Sequence, residues 1–218
     1  MIYREAGQFK TTYQTDSAIF PILQDKLFML ALLAISFAVI PVLGSDYFFS
    51  GILIPFLILA LAALGLNILT GYAGQLSLGS AAFMAVGAFA TFNFITRIPG
   101  MPLLLALVLG GLTAAVVGIL FGLPSLRIKG FYLAVATLAA QFFIEWALTK
   151  FGWFTNYSSS GVISAPPMDV FGIAIDSPVK KYLLTLSVVA IMTLAAKNMV
   201  RSGMGRAWMA LSHAGVRE

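Results

Sequence analysis

One uncharged interval limits the fold more than any other feature of this sequence. The fifty residues 47–96 contain no Asp, Glu, Lys, Arg or His. Because a transmembrane helix needs about 20 apolar residues, the interval holds two spans and leaves about ten residues over. Those residues form the glycine-rich stretch Gly71-Tyr-Ala-Gly-Gln-Leu-Ser-Leu-Gly-Ser80. We therefore predict spans at residues 48–70 and 79–96, joined by an uncharged connection that breaks the helix.

The composition of the whole chain indicates that its solvent is a bilayer. Of the 218 residues, 60% are apolar and 10% are charged, and the mean hydropathy is +0.97. Soluble globular domains carry about 45–50% apolar and about 25% charged residues. This composition excludes a disordered chain and a freely soluble enzyme. Because the chain has no cysteine, disulfide bonds and thiolate metal sites are excluded as well.

Apolar runs separated by polar turns predict an all-α integral membrane protein with six transmembrane helices. The transmembrane domain, residues 27–199, contains the predicted spans 27–43, 48–70, 79–96, 101–123, 131–149 and 182–199. A polar N-terminal tail occupies residues 1–26, an outer loop residues 150–181 and a basic C-terminal tail residues 200–218. The N-terminal tail does not resemble a signal peptide, because its first apolar run begins late and continues to Leu43.

The distribution of basic residues orients these spans. Loops retained in the cytoplasm carry an excess of Lys and Arg. With a cytoplasmic N-terminus, nine basic residues fall on the inner side and four on the outer side. The inner residues are Arg4, Lys10, Lys26, Arg127, Lys129, Lys197, Arg201, Arg206 and Arg217, and the outer residues are Arg97, Lys150, Lys180 and Lys181. Both termini are therefore predicted to be cytoplasmic, and the net charge of +5 needs no nucleic-acid partner.

The connection between the second and third spans supplies the first candidate functional residues. Residues 65–80 place glycines and hydrogen-bonding side chains inside an otherwise apolar stretch. Irregular backbone at membrane depth is tolerated only where protein buries it or water lines it, and transporters present such segments to substrates. A tight helix hairpin with small residues for close packing is an equal alternative. The candidate pathway residues in this region are Asn67, Tyr72, Gln75, Ser77 and Ser80.

The fifth span carries a polar stripe. Thr137, Gln141 and Glu145 are spaced four residues apart, which predicts that they share one helix face. Polar residues within a span face away from lipid, so these three are further candidates for lining a pathway. Glu145 is open to a second interpretation, because it lies close to Lys150 and could reach the outer interface. Gln141 lies deeper and is the better pathway candidate.

The fourth span carries small residues at every fourth position, which predicts a face for close helix packing. These residues are Gly110, Ala114, Gly118 and Gly122. No residues predict catalysis. His213, the only histidine, lies in the basic tail, where neither a metal site nor a triad can form around it. The chain also contains no Gly-x-x-x-x-Gly-Lys-Ser/Thr phosphate loop, so any energy from ATP has to come from a partner.

The basic C-terminal tail allows two interpretations. Its sequence Arg201-Ser-Gly-Met-Gly-Arg-Ala-Trp-Met-Ala210 predicts a short helix that begins after Gly205. By itself the stretch is typical of a positive-inside anchor with Trp208 at the interface. A functional role beyond anchoring stays open, and its candidate residues are Arg201, Gly205, Arg206 and Trp208.

Three ordered stretches carry a resemblance to a known family. They are Gly65-Leu-Asn-Ile-Leu-Thr-Gly-Tyr-Ala-Gly-Gln-Leu-Ser-Leu-Gly79 with Ala81-Ala-Phe83, then Gly122-Leu-Pro-Ser-Leu-Arg127 with Gly130-Phe-Tyr-Leu-Ala-Val-Ala-Thr-Leu138, and finally Arg201 to Ala210. Together they resemble the permease subunits of ABC importers for branched-chain amino acids, of the LivM type. The resemblance covers residues 27–210, and the first stretch is its most specific part.

The resemblance implies a multi-pass protein of the bacterial inner (plasma) membrane that translocates branched-chain amino acids and holds no cofactor. It implies three kinds of partner: a second, LivH-like permease, two cytoplasmic ATP-binding subunits and a periplasmic substrate-binding protein. It also favours the pathway role for residues 71–80 and the ATPase-coupling role for residues 205–210. In such importers, selectivity rests largely with the binding protein.

The sequence departs from the family pattern after Ala210. The family usually continues with an acidic-basic stretch and further spans, whereas this chain ends at Glu218 and resembles the front part of a longer, C-terminally truncated permease. Several alternatives therefore stay open. Related permeases carry urea, short amides or other amino acids. Other classes of function are an ATP-independent carrier or channel, in which Glu145 would be the only relay candidate, and a fragment that does not transport.

Overall fold

A computed structural model of the protein describes residues 23–75, 77–125, 131–158, 160–170, 172–203, 205, 207 and 208. Most of these residues are helical. The predicted N-terminal tail up to residue 22, the basic turn at residues 126–130, and Arg206 lie outside the described residues, as does the chain after Trp208.

Long helices carry the fold in the part of the chain that is described. They are α1 (Leu23–Ala34, Ile35–Val39 and Ile40–Leu43 in succession), α2 (Phe48–Leu53, Ile54–Asn67 and Ile68–Tyr72 in succession), α3 (Ser80–Arg97), α4 (Leu103–Ser125), α5 (Phe131–Lys150) and α6 (Pro178–Arg201). Each predicted span overlaps one of these helices. The last helix begins at Pro178, before the predicted start at residue 182, so the loop ahead of it is shorter than expected.

Five helices in the described residues are long and apolar enough to cross a membrane, namely α1, α2, α4, α5 and α6. They make the chain a mostly helical integral membrane protein. The remaining helix, α3, is less apolar because its second half carries Thr91, Asn93, Thr96 and Arg97. Its membrane crossing, and with it the count of six spans, stays a prediction.

Two helices contain π-helical segments that precede a proline. In α1 the segment Ile35–Val39 runs up to Ile40 and Pro41, and α2 repeats the arrangement before Ile54 and Pro55. In both helices the N–H of the isoleucine donates five residues back, one residue further than in an α-helix. Proline has no N–H to continue the pattern. A carbonyl that has lost its helical donor therefore needs a partner from elsewhere.

Tyr182 of α6 provides that partner in α1. The N–H of Ile40 is bonded to Ile35 and Pro41 has none, so neither can donate to the carbonyl of Ser36. The Tyr182 hydroxyl donates to this carbonyl at 3.1 Å. The Tyr182 side chain is buried at 2% exposure, and its ring centroid lies 5.2 Å from that of Phe49 in α2. This contact joins α1, α2 and α6 into one cluster.

The helices α3, α4 and α5 form a second cluster. α3 packs closely on α4, since a Cβ at Gly110 would overlap the hydroxyl of Thr91 and lie 2.9 Å from the carbonyl oxygen of Gly87. α5 packs on α3 through a small buried core. Its buried members are Ala82, Val86, Ile144 and Leu148. α5 contacts α4 much less extensively, so a groove runs over α3 between these two helices.

The segment between α5 and α6 has structure of its own. It contains a turn after α5 and a short antiparallel hairpin of β1 (Asp169–Val170) and β2 (Ile173–Ala174). In the turn, Asn156 and Tyr157 have positive φ values of 52° and 60°. The N–H of Tyr157 donates to the carbonyl of Gly152 at 2.7 Å, which closes the turn. The turn thereby brings its backbone against the end of α3.

Candidate functional site

The helix break between α2 and α3 forms one end of the groove. α2 ends in the π-helical segment Ile68–Tyr72, and α3 begins at Ser80. Between them Gly74 has a φ of +66°, a conformation that glycine adopts without strain. The N–H of Gln75 donates back to the carbonyl of Leu69 at 3.1 Å. The chain therefore leaves α2, folds back on the last turn of that helix and begins a new helix, α3, at Ser80.

α5 holds this connecting loop in place. The hydroxyl of Thr137 accepts a hydrogen bond from the N–H of Leu78 at 3.0 Å and donates to the carbonyl of Ala134 at 2.9 Å. Gly79 is buried, and a Cβ there would lie 2.8 Å from the carbonyl oxygen of Thr137. Only glycine allows the loop to approach α5 so closely. Thr137 thus positions the loop, and both hydrogen-bonding functions of its hydroxyl are used.

A cavity of about 460 Å³ lies beside the loop, between α3, α4 and α5; we name it the loop cavity. Four predicted pathway residues line it, and they come from two separate regions of the sequence. They are Gln75, Ser77, Thr137 and Gln141. The side-chain amides of Gln75 and Gln141 form no hydrogen bond with any other described residue. The rest of the wall is apolar apart from glycine backbone, so the cavity offers free amide groups in an apolar setting.

A second cavity, of about 420 Å³, continues the groove toward the other end of α3; we name it the arginine cavity. Its wall is almost entirely apolar, and its polar groups include Asn93 and Arg97. Phe121, Phe143 and Ile144 line both cavities. These three side chains therefore form the boundary between the two halves of the groove.

A hydrogen-bond network lies at the arginine cavity. The amide nitrogen of Asn93 donates to the carbonyls of Phe89 and Phe154, both at 2.8 Å. Its oxygen accepts from Nε of Arg97 at 2.7 Å, and Nη2 of Arg97 donates to the carbonyl of Trp153 at 2.5 Å. The guanidinium carbon lies 4.3 Å from the centroid of the Trp153 ring, within range of a cation–π contact.

The sequence patterns did not predict this hydrogen-bond network. Its signal in the sequence was the spacing of Asn93 and Arg97, which places them one turn apart at the end of a span. The carbonyls that complete the network belong to a turn that lies about sixty residues further along the chain. No periodic pattern could have indicated them.

The other predicted pathway residues do not line the loop cavity. They are Asn67, Tyr72, Ser80 and Glu145. The oxygen of the Asn67 side chain lies over Gly71, 3.0 Å from where a Cβ would stand. Glu145 is exposed and forms no ion pair with a described residue. An α-helix turns by about 100° per residue, so residues eight positions apart differ by about 80°. This rotation carries Glu145 out of the face that Thr137 and Gln141 share.

The predicted packing residues of α4 divide between two roles. Gly110 lies against Thr91 and Gly87, and a Cβ at Gly87 would lie 3.8 Å from that of Ala114, so these small residues stand at the contact between α3 and α4. A Cβ at Gly118 would lie 3.8 Å from the ring of Phe83. A Cβ at Gly122, in contrast, would meet no atom within 4 Å, and this glycine lines the loop cavity.

The candidate coupling residues follow the end of α6. Arg201 is its last residue, and the Ser202 N–H donates to the carbonyl of Met199 at 3.1 Å. Gly205 is buried, and a Cβ there would overlap the backbone carbonyl of Val200. Trp208 is half-buried. Arg206 lies outside the described residues.

Comparison with known families decides the class of the protein. Residues 48–213, about three quarters of the chain, match the model of the family described as "Branched-chain amino acid transport system / permease component". The chain belongs to this family. The resemblance found in the sequence motifs is therefore confirmed. Family membership and the apolar helices make the chain a multi-pass protein of the inner membrane, and as a transporter permease component it is not itself an enzyme.

Two curated relatives of this permease-family chain carry the same name, "High-affinity branched-chain amino acid transport system permease protein LivM". One is from Escherichia coli (strain K12) and the other from Salmonella typhimurium (strain LT2). Each is 29% identical over 178 residues, which is 71% of this chain and 41% of the relative. The chain thus spans about two fifths of the length of these relatives. No solved structure matches the chain significantly.

Proposed function

We propose that the chain acts as a permease subunit of an ABC importer that moves branched-chain amino acids across the bacterial inner membrane. It works with a second, LivH-like permease, two cytoplasmic ATP-binding subunits and a periplasmic substrate-binding protein. The family match over residues 48–213 and the names of both relatives support this proposal. The four polar side chains gathered at the loop cavity are the observation that carries it to particular residues.

In this proposal α3 crosses the membrane as the third of six spans, and both termini are cytoplasmic. The nine-to-four excess of basic residues supports this orientation. The loop between α2 and α3 then lies toward the cytoplasm, while Arg97 and Lys150 lie toward the outside. The loop cavity occupies the cytoplasmic half of the groove, and the arginine cavity occupies the outer half.

The substrate passes along this groove. A branched aliphatic side chain fits apolar walls, whereas its ammonium and carboxylate groups need hydrogen-bond partners. Gln141 is the best-placed partner, because its amide has both donors and an acceptor and no described residue occupies them. Gln75 offers the same chemistry from the facing loop. Ser77 is less free, since its hydroxyl already accepts a weak bond of 3.3 Å from the N–H of Gly79.

Uptake measurements test the proposed class. Labelled leucine uptake is measured in cells that express the chain together with the proposed partner subunits. Deletion of the ATPase is expected to abolish uptake; uptake that persists on a proton gradient contradicts an ABC importer. Gln141→Leu is expected to lower uptake about tenfold, the cost of one lost hydrogen bond. Phe142→Leu, one residue away and outside both cavities, is the matched control.

Thiol labelling tests the pathway directly, because the chain contains no cysteine of its own. Gln141→Cys is expected to react with a water-soluble thiol reagent added to inside-out vesicles, and leucine is expected to slow the reaction. Phe142→Cys is exposed to lipid in this proposal and is expected to stay unreactive. Equal labelling of the two variants, or no effect of leucine at Gln141→Cys, would refute a pathway through the loop cavity.

The tail after α6 is the proposed contact with the ATPase. The close approach of Gly205 to Val200 keeps the start of the tail against the last turn of α6, so the residues that follow are the candidate docking element. Arg206→Glu is expected to uncouple ATP hydrolysis from uptake while leaving the amount of protein in the membrane unchanged. An equal loss of membrane-inserted protein would instead indicate a simple positive-inside anchor.

A further inference from the structure

We propose that the arginine cavity is a binding site for an amino acid with a branched aliphatic side chain, and that Arg97 binds its carboxylate. This inference rests on the proposed function and deepens it. It assigns a substrate-binding role to Arg97, which the sequence marks only as one of the basic residues of the outer side.

The position of Arg97 beside an apolar cavity is the first observation. The cavity holds about 420 Å³, within the range of about 300–1,000 Å³ that small-molecule sites occupy. Its wall is formed mainly by apolar side chains, among them Val86, Phe89, Val117 and Leu148. Such a wall favours an aliphatic side chain. A charged group would lose its hydration there without compensation, so it has to lie at the rim, beside Arg97.

The fixed orientation of Arg97 is the second observation. Asn93 is buried at 6% exposure, and its amide is held by the carbonyls of Phe89 and Phe154. Its oxygen can therefore point only toward Arg97, whose Nε it binds at 2.7 Å. The Trp153 carbonyl and ring hold the guanidinium from the other side. A side chain ordered in advance loses less entropy when a ligand binds.

The unused charge of Arg97 is the third observation. A guanidinium has five N–H donors, and these two hydrogen bonds engage one on Nε and one on Nη2. Both acceptors are neutral, and no Asp or Glu among the described residues pairs with Arg97. Nη1 keeps both of its donors. A carboxylate satisfies this arrangement, because a charge-assisted hydrogen bond from arginine is roughly twice as strong as a bond between neutral groups.

The geometry also orients the ligand. With its carboxylate at Arg97, an amino acid extends its aliphatic chain along the groove toward Phe121 and Ile144, the boundary of the loop cavity. No acidic side chain lines this cavity in the described part of the chain. The ammonium group therefore stays toward the open end of the cavity. Recognition then depends on the carboxylate and the side chain and depends little on the ammonium group.

Competition binding to the intact chain in lipid nanodiscs tests this site without any mutation. Labelled leucine is displaced by leucine, by 4-methylpentanoate, which lacks the ammonium group, and by leucinamide, which lacks the carboxylate. We expect 4-methylpentanoate to compete within a few-fold of leucine and leucinamide to compete at least about tenfold more weakly. Equal competition by leucinamide, or no saturable leucine binding at millimolar concentration, overturns the proposal.

Variants then assign the effect to Arg97. Arg97→Gln is expected to remove the preference for leucine over leucinamide, and Arg97→Lys to retain part of it, because lysine keeps the charge but not the fork of donors. Lys150→Gln, a cation at the end of α5 that does not line the cavity, is the matched control. A preference that survives Arg97→Gln overturns the site. If ATP-dependent uptake then continues with an unchanged KM, the permease function stands without it.

Discussion

Removing the hydroxyl of Tyr182 tests how α1, α2 and α6 are held together. The substitution Tyr182→Phe keeps the ring, so the contact with Phe49 at 5.2 Å is retained. It removes only the hydrogen bond to the carbonyl of Ser36. Because Ile40 donates elsewhere and Pro41 has no N–H, no neighbouring helical donor replaces the lost bond. The variant thus leaves a partly buried carbonyl without its partner.

The expected cost follows from this geometry. An unsatisfied buried hydrogen-bonding group costs about 1–3 kcal/mol, and hydrogen bonds between membrane helices average about 0.6 and reach about 1.7 kcal/mol. We expect Tyr182→Phe to lower the free energy of unfolding by about 1–1.7 kcal/mol, at the upper end of the membrane range. In a Pro41→Ala background the restored N–H can bond to Ser36, so the same change should cost less than about half as much.

Unfolding of the purified chain by SDS in mixed micelles, followed by loss of helical circular dichroism, measures both costs. Tyr47→Phe is the matched control, because Tyr47 is 76% exposed and lies in the same region of the chain. It should change the unfolding free energy by less than about 0.5 kcal/mol. The reasoning is wrong if Tyr182→Phe costs no more than this control, or if its cost is the same with and without Pro41.

Three further predictions concern close contacts and charge, and the same unfolding assay serves the first two. Gly110→Ala is expected to destabilise the chain by about 1–3 kcal/mol, because the added Cβ overlaps α3. The control is the adjacent Gly111→Ala, whose Cβ meets no atom within 4 Å and which should be neutral or stabilise the chain by up to about 1 kcal/mol. Gly79→Ala is expected to displace the loop from α5 and to destabilise the chain by a similar amount. Gly65→Ala is the control, because a Cβ at Gly65 meets no atom within 4 Å. Equal destabilisation by the two variants would contradict the close approach of Gly79 to α5. Glu145→Gln should leave leucine uptake within about twofold, since the side chain is exposed and lies outside both cavities, and a tenfold loss would return Glu145 to the pathway.

The sequence predicted the parts of the fold that depend on local composition. Apolar runs indicated the long helices, because the hydrophobic requirement of a span is met within the segment itself. The glycines between Gly71 and Ser80 indicated the position where helix α2 ends and α3 begins. The spacing of Thr137 and Gln141 indicated a shared face, and both line the loop cavity.

The parts that escaped prediction depend on contacts between distant segments. The π-helical segment of α1 precedes a proline, but the donor to the carbonyl that this leaves without a helical partner is Tyr182, 146 residues away from Ser36. The hydrogen-bond network at the arginine cavity depends on backbone carbonyls, which every residue possesses and which no sequence pattern marks. Glu145 was grouped with its stripe because a spacing of four approximates the helical repeat without matching it.

One hydrogen bond in the first half of α5 and one in the turn after it limit how the groove can open. Thr137, in the first half of α5, bonds to Leu78 of the loop before α3, and the turn after α5 bonds to Asn93 of α3. An outward swing of α5 as a rigid body would break both of these hydrogen bonds. A connection between the two cavities can instead come from rotation of the Phe121 and Phe143 rings, which breaks none of these bonds. If the groove carries the substrate, side-chain torsion at these two rings can join its cavities without displacing α5.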